Sequence, residues 1–322
     1  MERRALFDEA SSPFHAGERA VQERLAVRDS VERGGRRMIG DFMPAQHREF
    51  FEQLPFLVLG SLDRSGRPWA SLLSGDPGFV TSPHARSLVI GSTPVPGDPL
   101  RENLRPDAPL AVLGIELATR RRNRANGRVV WCSARGFELF VEQAFGNCKR
   151  YIHERSRGEA RIVPAAAPEP VSGASRLTAR ALALLGGCDT AFLATASADP
   201  ARGGREGADV SHRGGPPGFL QVDASGERSR ITLPDYAGNN MFNSLGNIEV
   251  NPRAGLLACD FASGDLLSLT GSARVLWDAP DRARFPGADR VLQLELEAYV
   301  LLSAALPNVW KPARPEAGSS AS

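Results

Sequence analysis

No apolar run in this chain approaches the roughly 20 residues that a membrane-spanning helix needs. Its opening, MERRALFDEASSPFHAGERAVQ, carries charge but no apolar core of the kind a signal peptide has. The four cysteines, Cys132, Cys148, Cys188 and Cys259, are scattered without CxxC spacing, and the five histidines show no ligand spacing, which argues against a zinc or iron–sulfur framework. A formal charge of +2 is too mild for a nucleic-acid binder. GxGxxG is missing, and GGREG and RGGPPG lie between strand-like runs instead of opening a helix, so a dinucleotide-binding βαβ unit is not indicated. The expectation is a cytoplasmic protein with reduced thiols, no resident metal, and neither membrane nor nucleic acid as partner.

What is present favours short strands and turns. The 322 residues suffice for about two domains, and 32 Gly with 24 Pro suit a meander better than a helical bundle. Residues 1–40 read as a charged helical arm ending at Gly34-Gly35. PAQHREFFEQL (44–54) reads as a short helix with Phe50, Phe51 and Leu54 on one face, before strands FLVLGSLD, WASLLSG and RSLVIGS. The order then recurs. Helix SRLTARALALL, closed by Gly186-Gly187, precedes strands TAFLATAS, ADVSHRG and SRITLPD. Landmarks repeat at slowly drifting offsets: Phe56 with Phe192 at 136, Gly78-Phe79 with Gly218-Phe219 at 140, Gly97 with Gly238 at 141, and Ala111–Leu113 with Gly255–Leu257 at 144. Drift confined to loops is what duplication followed by small insertions leaves. The predicted division is an arm (1–40), a first domain (41–153), a linker rich in Pro, Ala and Ser (154–175), a second domain (176–310) and a disordered tail (311–322).

The two copies differ where chemistry would sit. In the second, Tyr236-Ala237-Gly238-Asn239-Asn240 leads into MFNSLGNI, whose Met241, Phe242, Leu245 and Ile248 have helical spacing. A helix start attracts anions, Gly238 permits close approach, and Asn239 and Asn240 can donate to phosphate oxygens. The first copy has Asp98-Pro99 in the corresponding turn, an anion and a residue without N–H, so only the second copy should cradle a phosphate. Plain helix capping would use the same residues and stays open as the alternative.

DTAFLATAS, GADVSHRGGPPGFL, LPDYAGNNMFNSLGNIEVNPRAGLL and LTGSARVLWD resemble the FMN-binding split-barrel family related to pyridoxamine 5'-phosphate oxidase. PVPGDPL, GIELATRRRNRANGRV and EQAFGNCKRYI extend the likeness to the first half. The resemblance implies a mainly β protein with short helices, built from two tandem split β-barrels that form a pseudo-dimer with FMN in the groove between them. By position, it implies cofactor contacts from Pro234, Asp235, Tyr236, Gly238, Asn239 and Asn240, with Ser211, His212 and Arg213 from the second strand. The family's Ser-Arg-Lys cluster is replaced here by Gly238-Asn239-Asn240. Positive charge would then come from RRRNR at 120–124, that is Arg121, Arg122 and Arg124, reaching over from the first barrel; a solvated basic hairpin is the competing reading.

His212 is the catalytic candidate, and His15, on the arm, a lesser candidate for covering the groove. Cys148 reads as a small core residue whose neighbours Lys149 and Arg150 would activate it if it were exposed. The activity expected is FMN-dependent oxidation or reduction of a small molecule by hydride transfer, with free nicotinamide or a separate reductase as electron donor and homodimerisation possible. A haem-binding or haem-degrading barrel, a deazaflavin in place of FMN, and a flavin-binding module without turnover are the alternatives.

Overall fold

A computed structural model describes residues 12–161, 169–278 and 280–313. The arm contains α1 (Ala16–Arg24) and α2 (Arg28–Met38), followed by α3 (Ala45–Glu52). His15 and Glu18 start α1 as a reciprocal capping box: the Gly17 N–H donates to His15 Nδ1 at 3.1 Å and the His15 N–H donates to Glu18 Oε2 at 2.9 Å. The arm is two helices, broken where Ala26 takes a φ of 54°. Contrary to the sequence reading, Gly34-Gly35 does not end it. Both glycines lie inside α2; a Cβ on Gly35 would meet the Phe14 ring at 2.5 Å, so Gly35 serves close packing and not termination, whereas Gly34 faces open space. Residues 1–11 lie outside the described part.

The first sheet comprises β1 (Phe56–Leu62), β2 (Pro68–Ser74), β3 (Val80–Thr81), β4 (Ser87–Ile90), β5 (Pro109–Glu116), β6 (Arg121–Ser133) and β7 (Gly136–Gly146), with α4 (Leu100–Asn103) between β4 and β5. Two short strands follow, β8 (Arg155–Ala160) and β9 (Val171–Gly173), then α5 (Ala179–Gly187). The second sheet comprises β10 (Thr190–Ala196), β11 (Ala208–Gly214), β12 (Gln221–Asp223), β13 (Arg230–Tyr236), β14 (Arg253–Cys259), β15 (Leu266–Leu276) and β16 (Ala288–Leu302), with α6 (Asn243–Val250) between β13 and β14; β17 (Asn308–Pro312) comes last. Gly186-Gly187 forms the last turn of α5, and Cys188 follows as its C-cap.

The two sheets have one topology. The first runs β2-β1-β5-β6-β7-β4-β3 and the second β11-β10-β14-β15-β16-β13-β12, the same order with each strand replaced by its counterpart. Register aligns them residue by residue: Val58 pairs with Leu72 and Leu113, Phe192 with His212 and Leu257. The counterpart of Phe192 is therefore Val58, and the Phe56 landmark slips by two residues. Both sheets carry a bulge at a glycine, Gly127 in β6 and Gly271 in β15, where a Cβ would lie 1.8 Å from the Phe140 carbonyl oxygen and 1.9 Å from that of Glu295. Gly271→Ala should therefore lower stability by about 2–3 kcal/mol, read as a drop in denaturation midpoint, because the paired strand β16 must move to admit a methyl group. An unchanged midpoint would mean that the bulge is not closely packed.

The protein is two tandem split barrels. Each has its own core, around Leu57, Leu59 and Phe137 in the first and Leu193, Leu256 and Leu294 in the second. A third cluster, with Val58, Trp69 and Leu72 from one barrel and Phe192, Leu257 and Leu266 from the other, seals them together. The backbones nearly touch at the seam: a Cβ on Gly255 would meet the Pro68 carbonyl oxygen at 2.4 Å. The segment read as a linker is partly paired, β8 with β17 and β9 with β16. Its Pro and Ala content says only that it builds no core, and pairing with a distant sheet edge leaves no local signal. Residues 162–168 and 314–322 lie outside the described part, and Lys311 and Pro312, read as tail, belong to β17. No helix among the described residues is long and apolar enough to cross a membrane.

Candidate functional site

A cleft open to solvent lies between the barrels. The second barrel provides β11, the end of β13, the turn after it and the first turn of α6. The first barrel provides β6 and residues 147–151. Strand alternation decides which arginines of RRRNR take part. Arg122 and Arg124 face the cleft; Arg121 points the other way, its guanidinium 4.6 Å over the Phe50 ring and donating to the Gln46 carbonyl at 3.1 Å. Assigning Arg121 to the cofactor site was thus an error of strand parity.

Arg124 is buried and committed. It pairs with Asp209 at 2.8 Å and donates to Ser211 Oγ at 2.7 Å and Asn243 Oδ1 at 3.1 Å. Arg213 pairs with Asp235 at 2.6 Å, and Arg290 holds the other oxygen of that carboxylate at 3.3 Å. Arg122 differs: its guanidinium has no hydrogen-bonding or ionic partner among the described residues. Burial, with the neighbouring charge of Arg124, pushes its pKa down to about 10. The buried Nε atoms of Arg122 and Arg213 and both ring nitrogens of His212 have no partner. Buried polar atoms are nearly always paired, so this cluster, with donors on both arginines, marks a place for a polar partner that the described residues do not supply.

His212 is 7 % exposed and packs edge-on against Phe192, with ring centroids 5.5 Å apart. Burial and the surrounding cations Arg122, Arg213 and Arg155 hold its pKa well below the usual histidine value, so the ring is neutral near physiological pH.

Asp235, Tyr236, Gly238, Asn239 and Asn240 line the cleft, and Pro234 borders a smaller recess beside it. The turn is not the predicted helix start. α6 begins at Asn243, after Phe242 in a left-handed conformation with φ 59°, and Asn240 shares that φ. Asn239 Oδ1 accepts from the Met241 N–H at 3.1 Å, closing the turn on itself. Such conformations are uncommon away from Gly, and in a bulky residue such as Phe242 they cost about 1–3 kcal/mol. The helical spacing of Met241 and Phe242 misled because both side chains are held by tertiary packing while their backbone is not helical.

Several residues in the cleft wall or behind it escaped the sequence reading. Tyr151 stacks on Tyr236 with centroids 5.1 Å apart and donates to the Ala237 carbonyl at 3.1 Å. Asp209 lies two residues before Ser211 on the same strand face, a period-2 signal that could have found it. Asn243 and Arg290 left none. Cys148 is half-buried in the cleft wall and not in a core, and the four cysteines are free. His15 caps α1 and does not line the cleft.

The pseudo-symmetric groove is closed. By register the counterparts of Arg122, Arg124, Asp209, His212 and Arg213 are Leu266, Ser268, Trp69, Leu72 and Leu73. Trp69, Leu72 and Leu266 belong to the seam between the barrels. Ser71, the counterpart of Ser211, donates to Asp98 at 2.5 Å, and the same carboxylate oxygen accepts from the N–H of Leu100, the first residue of α4, at 2.8 Å.

Solved structures similar to this chain include a candidate pyridoxamine 5'-phosphate oxidase of Lactobacillus delbrueckii (21% identity, TM-score 0.29, covering 38% of this chain and 93% of that one). HutZ, described as the haem storage protein of Vibrio cholerae, is 15% identical with TM-score 0.27, covering 40% of this chain and 95% of its own. HupZ of Group A Streptococcus is 12% identical with TM-score 0.30, covering 42% and 98%. No curated protein matches. Residues 177–306, the greater part of the second barrel, match the model of the family described as pyridoxamine 5'-phosphate oxidase, and it is this family that the chain resembles.

Proposed function

We propose that the cleft binds FMN, one per chain, and that the protein is an FMN-dependent oxidoreductase acting on a small molecule. The observation that carries this reading is the set of buried, unpartnered donors on Arg122 and Arg213 in a cleft of the barrel that resembles a flavin-binding family. Arg122 and Arg213 would hold the phosphate, with the Asn239 and Asn240 amides completing its shell at the solvent side. Asp209 and Asp235 keep Arg124 and Arg213 oriented while leaving net positive charge in the cleft. The Tyr151–Tyr236 pair offers a planar apolar border to a flat ring system. A bound flavin supplies the hydride chemistry; the protein supplies binding, orientation and charge. His212, kept neutral, can donate from one ring nitrogen and accept at the other but holds no extra proton. Reducing equivalents would come from reduced nicotinamide or a separate reductase.

One observation favours a second reading: the two unpartnered ring nitrogens of His212 could serve a haem iron. The rest of the wall, rich in Arg and Asn, suits a polar anion better. The absorption spectrum of the purified protein, with mass analysis of the released ligand and titration of added FMN, separates them. Flavin bands, one FMN per chain and a weaker affinity in Asn240→Asp are expected. A Soret band would install haem, and a colourless protein that refuses FMN would overturn the reading. FMN binding without oxidation of reduced nicotinamide or electron transfer to any acceptor would leave a binding module.

A further inference from the structure

We infer that α1, on the amino-terminal arm, is a clamp on the cleft and that Glu18 and Gln22 are its positioning residues; its bearing on the cofactor rests on the reading above. Neither side chain lines the cleft. Both are buried, Gln22 with no exposure at all, and both reach the turn that does line it. Gln22 Nε2 donates to the Met241 carbonyl at 3.0 Å, and Asn243 Nδ2 donates to Glu18 Oε1. The bonded residues flank and interleave with the two left-handed positions, Asn240 and Phe242. The turn with the least favourable backbone in the site is thus held from behind, at two points one α1 turn apart.

The contact is too close to be incidental. A Cβ on Gly17 would lie 2.1 Å from the Gly246 carbonyl oxygen, and one on Gly246 would lie 2.5 Å from the Glu18 backbone, so two glycines bring α1 against α6. Glu18 also sets a direction. Because Asn243 gives its amide N–H to Glu18, its Oδ1 is the atom presented to Arg124 at 3.1 Å, and Arg124 in turn holds Ser211. A chain of bonds therefore runs from the arm to the phosphate side of the cleft. Burial raises the Glu18 pKa, His15 opposes that shift and Asp209 adds to it; in either protonation state an oxygen remains to accept from Asn243.

The test uses near-isosteric variants: Gln22→Met, which lacks the donor, and Glu18→Met, which lacks both acceptor oxygens, the one for Asn243 and the one for the His15 N–H of the capping box, with Glu18→Gln, which keeps a carbonyl acceptor, as the conservative rescue. Amide hydrogen exchange of residues 239–243 in the full-length, cofactor-free protein is the first readout, and FMN affinity the second. Both Met variants should exchange about tenfold faster in that turn and bind FMN about tenfold more weakly, with Glu18→Gln near wild type. Unchanged exchange in both Met variants would overturn the clamp, because the turn would then hold itself. Equal losses in Glu18→Met and Glu18→Gln would reduce Glu18 to a packing residue and overturn its positioning role. If the wild type binds no FMN, the functional reading falls, while the exchange data still decide the clamp.

Discussion

Replacing Arg122 with glutamate is expected to abolish FMN binding, weakening it by at least about 100-fold, while the fold becomes no less stable. Removing a buried cation that meets a phosphate costs roughly 2–5 kcal/mol of binding, and an acid in its place adds repulsion. Stability should move the other way. The folded-state pKa of Arg122 is depressed from the usual strongly basic arginine value to about 10, so the charged form is disfavoured by folding at every pH below that value. The corresponding destabilisation is on the order of 3 kcal/mol and vanishes only at strongly alkaline pH. Glutamate removes it and can pair with Arg124 or Arg213. FMN titration by fluorescence quenching, beside thermal denaturation without ligand, measures both. Retained affinity would show that the phosphate lies elsewhere. A collapse in melting temperature would show that Arg122 is a structural cation.

Asp98→Asn is expected to stabilise the protein at pH 8 and not at pH 4, with FMN affinity unchanged at either. Burial lifts the Asp98 pKa from 3.8 to about 6, against the opposing hydrogen bonds from Ser71 and Leu100. A carboxyl whose folded pKa is raised binds its proton more tightly in the native state, so its cost is absent below about pH 4. It grows between about pH 4 and 6 and is complete above that. The full difference corresponds to about 3 kcal/mol, and the gain from Asn should fall between ~1 and 3 kcal/mol because its amide N–H₂ must find an acceptor. Thermal melts at the two pH values decide it. A variant less stable than wild type at pH 8 would mean that the charged carboxylate, held by its two donors, contributes more than its burial costs.

The duplication was legible because loop drift leaves strand order and landmark spacing intact. The reason only one copy is open was legible in part. Asp98 against Asn239-Asn240 pointed to the copy whose groove is open, but Asp98 is a minor cause: register puts Leu266, Trp69 and Leu72 where the open groove has Arg122, Asp209 and His212, and those side chains form the seam. Such substitutions show only after strands are aligned by pairing, and the Phe56 landmark, two residues off, could not have done it. Arg121 was misassigned because a run of like residues hides the parity of a strand, which the Phe50 contact reveals. Arg290 and Tyr151 reach the site from distant parts of the chain, so no local spacing betrays them, and Asn243, though next to the turn, is recruited by Glu18 and Arg124.

By itself the sequence determined what local chemistry and period can carry: strands with their turns, the repeat, the absence of metal spacing, and the motifs by which the second half resembles the pyridoxamine 5'-phosphate oxidase family. Tertiary structure decided which arginines face the cleft, where α6 begins, and that the arm reaches the turn through Glu18 and Gln22. The physical reason is range. Hydrophobic period and turn preference act over a few residues, whereas a buried charge is settled by whatever partner the fold brings within hydrogen-bonding distance. Arg124 found Asp209 and Arg122 found none among the described residues, although the two lie side by side on one strand face.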